Sequence, residues 1–483
     1  MAVSVAERAA ADAPDTMTSS ADVVVLGGGP AGLSTALFAA RKGLSVTLLE
    51  RAGHVGGLTA SFEVAGLRVD HGSHRLHPGI APDVRRELAT LLGDALQVRP
   101  RNGRIRLGGR WLAFPLRPGD LVRHAPLALS AGAARDLVTG PLRRWLVRGR
   151  PDTFAARARA GLGPAITSAF YEPYAHKIWG VGGDELSGDL YRRRVAAGSG
   201  SKLLRRLTPR GAAAKRTFLY PARGFGQIAD ALAEAAVDAG ADVRLGEGAD
   251  ALAVDEHGAT VRTAAGRELR ARTVVSTLPA RTTVDLAGET VPTEVRAAVG
   301  RLQHRGALLV YLVLDQPRYT PFDAHYFPEA GLPMARLSEP KNYRSSPDDP
   351  AGRTVLCAEV PASVGDERWT SSDVDLVGAV TAALPAAGLP AVRPVSGEVR
   401  RLPFVYPVEL LGSDADQAVF ETWAGAQPAL LVLGRQALFA HDNTHHGLEM
   451  GRAAASCLAA DGCLDRAAWE PLRAAFRDHV VED

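Results

Sequence analysis

The hydrophobic pattern of the chain opens with three runs that differ in length and spacing. Val23–Leu26 is a short unbroken apolar run, which is typical of a strand buried on both faces of a sheet. Leu33–Lys42 has the apolar spacing of a helix, and Val46–Leu49 is a second short apolar run. The order of strand, helix and strand predicts a βαβ unit near the start of the chain.

Further runs with helix or strand spacing recur along the chain. Residues 80–215 have a mainly helical pattern. From Tyr220 onward the pattern predicts a helix over 228–239 and a strand over 241–245, because Gly240 stops the helix between them. Other strand-like runs lie around Leu252 and Val261 and over 274–277, 307–314, 354–360, 400–405 and 430–433.

Three glycines, Gly27, Gly29 and Gly32, follow the first strand at the spacing of a dinucleotide-binding turn. The first allows a tight turn, the second lets the backbone approach a pyrophosphate, and the third lets helix and strand pack closely. Glu50 lies 18 residues beyond Gly32, where a carboxylate can accept hydrogen bonds from ribose hydroxyls. This context predicts nucleotide binding; the alternative is a βαβ unit whose glycines serve packing alone.

A hairpin and a histidine-containing loop follow the second strand. Gly56 and Gly57 would let another backbone segment run close to the same dinucleotide. The residues around Gly66 read as a hairpin. The hairpin is followed by a loop that contains His74 and His77.

Together these motifs resemble the FAD-binding signature of a large flavoprotein superfamily. The matching residues are Gly27-x-Gly-x-x-Gly32, Glu50-Arg51, Gly56-Gly57 and Asp70-x-Gly-x-His74. The superfamily includes amine oxidases, protoporphyrinogen oxidases, phytoene desaturases and UDP-galactopyranose mutases. The resemblance implies FAD as the cofactor, with Glu50 at the adenosine ribose, the backbone of Val243 at the adenine, and Asn443 or a neighbour capping a helix that faces the flavin. The full set of expected FAD-binding residues is Gly27, Gly29, Pro30, Ala31, Gly32, Glu50, Arg51, Gly56, Gly57, Leu58, Thr59, His74, Val243, Gly434, Asn443 and Thr444.

The resemblance also implies an α/β fold, α+β overall. A Rossmann-like FAD-binding domain is expected from discontinuous segments, beside a substrate domain with a mixed sheet and a helical part. The expected segments are a disordered tail at 1–21, FAD-binding segments at 22–79, 216–283 and 426–470, substrate segments at 80–215 and 284–425, and a C-terminal tail at 471–483.

A motif in the middle of the chain bears on the substrate. Lys177-x-Trp179-Gly180, followed by a basic cluster, resembles both protoporphyrinogen oxidases and galactopyranose mutases. In the mutases this region supplies an aromatic side chain that stacks on uracil and an arginine that meets the diphosphate, and Trp179 and Arg194 are the nearest candidates. A structural helix end with Trp179 in the core is the alternative. The substrate-binding residues we expect are Arg75, Trp179, Arg194, Tyr343 and Tyr406.

The chemistry implied by a flavin needs no catalytic triad, because the cofactor carries the reaction and the protein supplies position and electrostatics. His74, His77 and His445 are the expected catalytic residues, since histidine can pass protons near neutral pH. Lys341 matches the lysine of amine oxidases by position only. Three functions stay open: an oxidoreductase that takes a hydride from a metabolite, a redox-neutral mutase, and a non-catalytic flavin-binding protein.

The amino-acid composition bears on the class of binding partner and on the cellular compartment of the protein. The chain has 51 arginines but five lysines and a net charge of +3, with dense arginine runs at 143–150, 192–194 and 205–216. Such runs suit an anionic small-molecule substrate, a peripheral contact with an anionic membrane, or a solvated face; without a reader motif they do not predict nucleic-acid binding. Three cysteines without a C-x-x-C motif predict reduced thiols in the cytoplasm, with membrane association left open, and no metal site. The oligomeric state cannot be predicted.

Overall fold

The computed structural model describes residues 18–115, 118–146, 151–195 and 217–481. The fold of the protein has two large β-sheets. The first sheet has the strand order β10-β11-β12-β1-β2-β9, with β18 beside β12. Its strands are β1 Thr18–Leu26, β2 Val46–Glu50, β9 Asp242–Leu245, β10 Ala249–Asp255, β11 Gly258–Thr263, β12 Glu268–Ser276 and β18 Leu430–Val432. The pairs of β1 with β2 and β12 are parallel, as are β2 with β9 and β12 with β18. Three segments far apart in sequence therefore share one sheet, as the resemblance implied.

The second sheet is mixed, with the order β17-β13-β16-β15-β14-β6-β7. Its strands are β6 Gly103–Leu107, β7 Arg110–Phe114, β13 His304–Leu314, β14 Ala324–Tyr326, β15 Arg336–Ser338, β16 Thr354–Ala362 and β17 Ser396–Pro407. β14 pairs with β6 in parallel, whereas the other neighbours are antiparallel. The two-stranded pairs are β3 Ser61–Val64 with β4 Leu67–Asp70, and β5 Leu96–Pro100 with β8 Thr217–Pro221.

Helices pack on both faces of the first sheet and on one face of the second. They are α1 Pro30–Arg41, α2 Pro82–Leu92, α3 Pro118–His124, α4 Leu127–Leu146, α5 Phe154–Leu162, α6 Pro164–Ile166, α7 Glu172–Trp179, α8 Gly188–Arg194, α9 Gln227–Asp238, α10 Ala280–Ala287, α11 Thr293–Arg301, α12 Glu367–Thr370, α13 Asp373–Ala386, α14 Ser413–Ala426, α15 Thr444–Ser456 and α16 Arg466–Ala475. In the described ranges, no helix is both long and apolar enough to cross a bilayer.

The core explains why β1 reads as an unbroken apolar run. Val23 and Val25 pack in the cluster on one face of the first sheet, and Val24 and Leu26 pack in the cluster on the other face. All four side chains are at most 1% exposed. Helices on both faces of a parallel sheet require apolar side chains in both directions.

The structure corrects the boundaries expected at both ends of the chain. The N-terminal tail was expected to reach residue 21, but β1 begins at Thr18 because the nine-residue strand β12 pairs with it from Glu268 onward; residues 1–17 lie outside the described ranges. The expected boundary at 470/471 falls inside α16, and the backbone N–H of Val481 donates to Arg193 O at 3.0 Å. The C-terminal segment therefore contacts α8 through Val481, which is buried.

The expectation of a mainly helical segment at 80–215 is also wrong in part. β5, β6 and β7 lie within it, and β6 and β7 form the edge of the second sheet. In β6 the buried residues alternate with half-buried ones, which is the period-two pattern of a strand with one covered face. The helical part of the substrate domain therefore starts at about α3.

Candidate functional site

The glycine turn after β1 has the geometry that its spacing predicts. Gly27 has φ +103°, a conformation that favours glycine. A Cβ on Gly32 would lie 2.0 Å from Gly27 O, so only glycine lets α1 start this close to the turn. Glu50 ends β2 and accepts hydrogen bonds from the backbone N–H groups of Gly28 at 2.7 Å and Ala52 at 2.8 Å. The carboxylate is thereby fixed beside the turn.

Two backbone segments meet above this turn. A Cβ on Gly29 would find no protein atom within 4 Å, whereas a Cβ on Gly57 would lie 3.7 Å from Gly29 Cα. The backbone N–H of Gly56 donates to Gly28 O at 2.8 Å. Leu58 and Thr59 continue into a short 3₁₀ turn, held by the Thr59 hydroxyl on Gly56 O. The open backbone at Gly29 suits a pyrophosphate.

The last expected segment completes this arrangement. Asn443 is the N-cap residue of α15, its backbone N–H donates to Nδ1 of His446 at 3.1 Å, and Thr444 is the first helical residue. That this helix faces the flavin stays a prediction. Gly434 precedes this segment with φ +92°, and a Cβ on it would lie 3.3 Å from Ala31 Cβ. The N-terminus of α1, which begins at Pro30, is thus close to the strand end that leads into α15.

Val243 and Arg51 lie at the outer edge of the first sheet. Val243 is on β9, the edge strand, opposite Leu48 of β2. Arg51 is exposed, and its aliphatic stem packs on Gly248. Their expected contacts with the adenine and the pyrophosphate stay predictions.

These residues fit FAD. The open backbone at Gly29, the carboxylate at the end of β2 and the capped N-terminus of α15 provide respectively a phosphate cradle, a hydroxyl acceptor and a positive dipole end. When bound, FAD would supply the oxidation–reduction chemistry.

The loop after β4 connects this region to the second sheet. Glu359 on β16 accepts a hydrogen bond from the backbone N–H of Ser73 at 2.7 Å. The same carboxylate pairs with Arg336 on β15 through Nε at 2.8 Å and Nη2 at 2.6 Å. The side chains of Arg336 and Glu359 are mostly buried, with exposures of 22% and 6%. Such a two-point ion pair fixes the guanidinium plane.

Tyrosines surround this ion pair. The Arg336 guanidinium lies 5.8 Å from the ring centroid of Tyr326. Burial raises the pKa of the Tyr174 and Tyr406 phenols, and both groups lie in the field of Arg336 and Glu359. The phenols therefore stay protonated and can donate hydrogen bonds. Tyr406 is thus in the region where we expected substrate.

Arg75 and Tyr343 contact each other within the protein. Arg75 donates to Tyr326 Oη at 2.9 Å, Asp323 Oδ1 at 3.0 Å and Tyr343 Oη at 3.3 Å. The Tyr343 hydroxyl also shares a short hydrogen bond with Ser73 Oγ, and the side chain is 2% exposed. Arg75 and Tyr343 support the loop that carries His74; substrate contact by either residue stays a prediction.

His74 lies at the centre of the site. Burial, followed by the positive charges of Arg336, His71 and Arg435, lowers its pKa to about 3. The ring stacks on Phe225 with centroids 5.1 Å apart, and the buried Nδ1 atom has no protein partner. His74 is therefore a neutral imidazole at neutral pH, suited to hydrogen bonding and too weak a base to hold a proton there.

The other two expected catalytic histidines belong to a different cluster. His445 has a pKa lowered to about 3, first by burial and then by the charges of His446, His77 and His479. Nδ1 of His77 accepts a hydrogen bond from the Gly79 N–H at 3.0 Å. His77 and His445 are thus grouped near α15, whereas His74 faces Arg336.

Asp442, His446 and His479 place ligand atoms within 4.8 Å of one another, as a metal site would. However, the rings of His446 and His479 stack at 4.2 Å with 14° between their planes. An ion between them would lie outside both ring planes, where the nitrogen lone pairs do not point. Although burial opposes it, the hydrogen bond with His479 at 3.0 Å and the nearby His446 ring lower the pKa of Asp442 to about 2. A hydrogen-bonded cluster accounts for this arrangement, and the absence of a metal stays a prediction.

Trp179 and Arg194 also contact one another. Trp179 is 6% exposed and packs between Phe154 and His441, while the Arg194 guanidinium lies 5.8 Å from its ring. Arg194 contacts His441 Nδ1 at 3.2 Å. These contacts favour the structural alternative for Trp179, and its stacking on a base stays a prediction. Residues 147–150 of the arginine run at 143–150, and the whole run at 205–216, lie outside the described ranges.

A buried acid lies next to this pair. Glu409 accepts from Arg193 at 2.6 Å, and its Oε1 lies 3.7 Å from His441 Nε2. Burial raises the pKa of Glu409 to about 7. Neither Oε1 of Glu409 nor Nε2 of His441 has a hydrogen-bond partner. These two atoms are therefore buried polar atoms whose hydrogen-bonding capacity the protein itself does not satisfy.

The lysines of the described ranges donate hydrogen bonds to backbone carbonyls. Lys341 donates to the carbonyls of Pro317, Pro350 and Arg353, so its positional match to an amine oxidase lysine carries no weight. Lys177 donates to four carbonyls of the 327–334 loop. The Lys177 motif therefore has a structural role.

Known proteins agree with this architecture. A family model for flavin containing amine oxidoreductases matches residues 30–456. The chain belongs to this family. FAD is the cofactor of its members, which are oxidoreductases, and the resemblance stated from the motifs is confirmed.

Individual relatives match less of the chain or match at low identity. The 3-oxosteroid 1-dehydrogenase of Mycolicibacterium smegmatis is 34% identical over 111 residues, which are 22% of this chain and 18% of that enzyme. The chain therefore spans less than a fifth of this curated relative. Reduced UDP-galactopyranose mutase superposes with a TM-score of 0.75 at 22% identity, covering 90% of this chain and 93% of that one. Wild-type putrescine oxidase bound to putrescine superposes with a TM-score of 0.62 at 17% sequence identity, covering 91% of this chain and 99% of that one. These structures confirm the fold.

Glu359 and Tyr326 are site residues that sequence reasoning missed. Glu359 interrupts a strand that is otherwise apolar, and β16 is buried along its whole length. A single carboxylate in such a run requires a buried cation, and this signal could have identified Glu359. Tyr326 lies on a three-residue strand, which gives no periodic signal.

Proposed function

We propose that this family member is an FAD-dependent oxidoreductase that takes a hydride from a small metabolite bearing an anionic or glycosyl group. The observation that carries the proposal is the pair of guanidinium groups beside His74, those of Arg336 and Arg435. Arg336 is held in one plane by Glu359, and both arginines, after burial as the first cause, help to lower the pKa of this imidazole to about 3. Guanidinium groups are the usual partners of carboxylates and phosphates.

Each residue has a stated part in this proposal. The glycine turn binds the pyrophosphate through backbone N–H groups, and Glu50 accepts from the ribose. The N-terminus of α15 stabilises negative charge on the cofactor. Arg336, held in one plane by Glu359, orients the substrate, and neutral His74 forms a hydrogen bond at its unpartnered Nδ1.

A redox-neutral sugar mutase is the second candidate. The position of Arg194 over Trp179 at 5.8 Å favours it, since these residues match the mutase motif. We rank it second because Lys177 and Trp179 both have contacts that account for them structurally. A non-catalytic flavin-binding protein ranks third, because the family model that the chain matches describes oxidoreductases.

Anaerobic mixing of the holoenzyme with a panel of carboxylated, phosphorylated and glycosylated metabolites tests the proposal. We expect one class to bleach the oxidised-flavin absorbance, and an artificial electron acceptor to restore it. Isomerisation of a nucleotide sugar only after dithionite reduction, without net electron transfer, would instead support the mutase. Stable flavin with no turnover by either assay would leave the third candidate.

A matched pair of variants locates the anion site. Arg336→Met should raise the KM for an anionic substrate more than tenfold. Arg262→Met removes an arginine whose side chain is 53% exposed and should leave the KM unchanged. Equal KM values for both variants would contradict the role of Arg336.

A further inference from the structure

Helix α4 carries an apolar face that the described part of the protein leaves uncovered. Leu127 is 86% exposed and Val138 is 82% exposed. Ala131 and Ala134 are exposed between them. These four positions recur at helical spacing, so they form one stripe along the helix.

The opposite face of α4 is firmly packed. Asp136 is buried, and its Oδ2 atom accepts from the backbone N–H of Ala165 at 2.7 Å. A Cβ on Gly132 would lie 2.8 Å from Ala165 Cβ, which shows how closely the helix approaches α6. The orientation of α4 is therefore fixed, with the apolar stripe directed outward.

The segment that contains α4 is strongly basic. Residues 101–150 contain eleven arginines and two aspartates, a net charge of +9, whereas the whole chain has +3. Asp136 is buried. Asp120 is partly exposed and accepts hydrogen bonds from the Ala113 N–H at 2.8 Å and from His124 at 3.1 Å. Arg123 is exposed and Arg135 has a 71% exposed side chain, so cations border the stripe.

We propose that this face of α4 is a peripheral binding surface for an anionic phospholipid bilayer. An exposed apolar stripe bordered by arginines is the pattern of a helix that lies in the membrane interface, where apolar side chains enter the acyl boundary and cations meet anionic headgroups. A second copy of the chain is a poorer occupant, because a symmetric contact would bring the same positive segment against itself.

Vesicle co-sedimentation of the FAD-loaded protein tests the proposal. Vesicles of phosphatidylcholine with phosphatidylglycerol should pellet the protein, and vesicles of phosphatidylcholine alone should pellet at least tenfold less. High salt should release it, because the charge contribution is screened. No pelleting with anionic vesicles, or equal pelleting with both kinds, would overturn the proposal.

Two matched valines localise the surface. Val138→Glu should reduce pelleting at least tenfold, whereas Val374→Glu, at an 81% exposed position on α13, should not change it. Retained flavin absorbance shows that each variant is folded. Equal binding by both variants, or a dimer in solution that Val138→Glu dissociates, would overturn the proposal. These readouts do not depend on turnover, so they stand apart from the proposed activity.

Discussion

The Glu359 carboxylate accepts a hydrogen bond from the Ser73 backbone N–H at 2.7 Å, across 286 positions of sequence. Ser73 belongs to the loop that carries His74, and Glu359 belongs to the second sheet. The same carboxylate holds Arg336. One side chain therefore sets both the position of the loop and the orientation of the cation beside it.

Replacing Glu359 should lower the free energy of unfolding and also release Arg336 and the loop of Ser73 from their positions. Glu359→Ala leaves Arg336 without its counter-ion in a mostly buried place, so we expect the free energy of unfolding to fall by about 3 kcal/mol. Glu359→Gln keeps an acceptor for Ser73 and should cost less. Urea unfolding of both variants measures the difference.

An exposed ion pair is the control for this prediction. Asp250 pairs with Arg262 at 2.9 Å, with side-chain exposures of 55% and 53%. Asp250→Ala should change stability by less than about 1 kcal/mol. A similar loss for Asp250→Ala and Glu359→Ala would show that burial of the Arg336 pair is not what matters.

Gly29 should be needed for the cofactor and not for the fold. A Cβ on Gly29 or on Gly53 meets no protein atom within 4 Å, so Gly29→Val and Gly53→Val should both fold. Only Gly29→Val should lose FAD, by more than tenfold, because its side chain fills the phosphate cradle. The ratio of flavin to protein absorbance measures this, and a yellow Gly29→Val protein would argue against the assignment.

Much of this fold could be predicted, and the exceptions have physical causes. The strands β1 and β2 have unbroken apolar runs, and α1, α9 and β13 have longer runs with helix or strand spacing. The ends of each element were predicted to within about five residues. β14 and β15 have three residues each, and only their neighbours in the sheet make them strands. β6 was missed although its alternation was present, because arginines and glycines interrupt the apolar signal.

The cofactor side of the site was more predictable than the substrate side. Gly27, Gly32 and Asn443 act through local backbone geometry, which a short motif specifies. The pairing of Glu359 with Ser73 depends on how two domains meet, and no local pattern specifies it. The low pKa of His74 likewise depends on Arg336, which is 262 residues away in the chain.

Lys177 should matter for stability. Its ammonium donates to the carbonyls of Phe327 at 2.8 Å and Leu332 at 2.9 Å, among others. Lys177→Met leaves buried carbonyls without donors, so we expect a loss of about 2 kcal/mol in the free energy of unfolding, with flavin retained. A variant that keeps wild-type stability but loses turnover would contradict the structural role.

His445 should contribute to acid sensitivity. Its pKa is lowered to about 3 in the folded protein, against 6.5 as its ordinary value. The unfolded chain therefore binds more protons between these values, and the free energy of unfolding falls as the pH drops from 6.5 toward 3. His445→Gln should flatten the dependence of the melting temperature on pH in this window.

An exposed histidine provides the comparison. His257 has an 85% exposed side chain, and His257→Gln should leave the pH dependence of the melting temperature unchanged. If His257→Gln and His445→Gln flatten the curve equally, burial of His445 is not the cause.

The most direct test of the account is the flavin content of the purified protein, measured by releasing the cofactor with heat and quantifying it by chromatography. The account predicts one FAD per chain, or saturable uptake of FAD to that ratio, with a spectrum of oxidised flavin. Protein that neither contains FAD nor takes it up would contradict the claim that three distant segments of the chain form one flavin site.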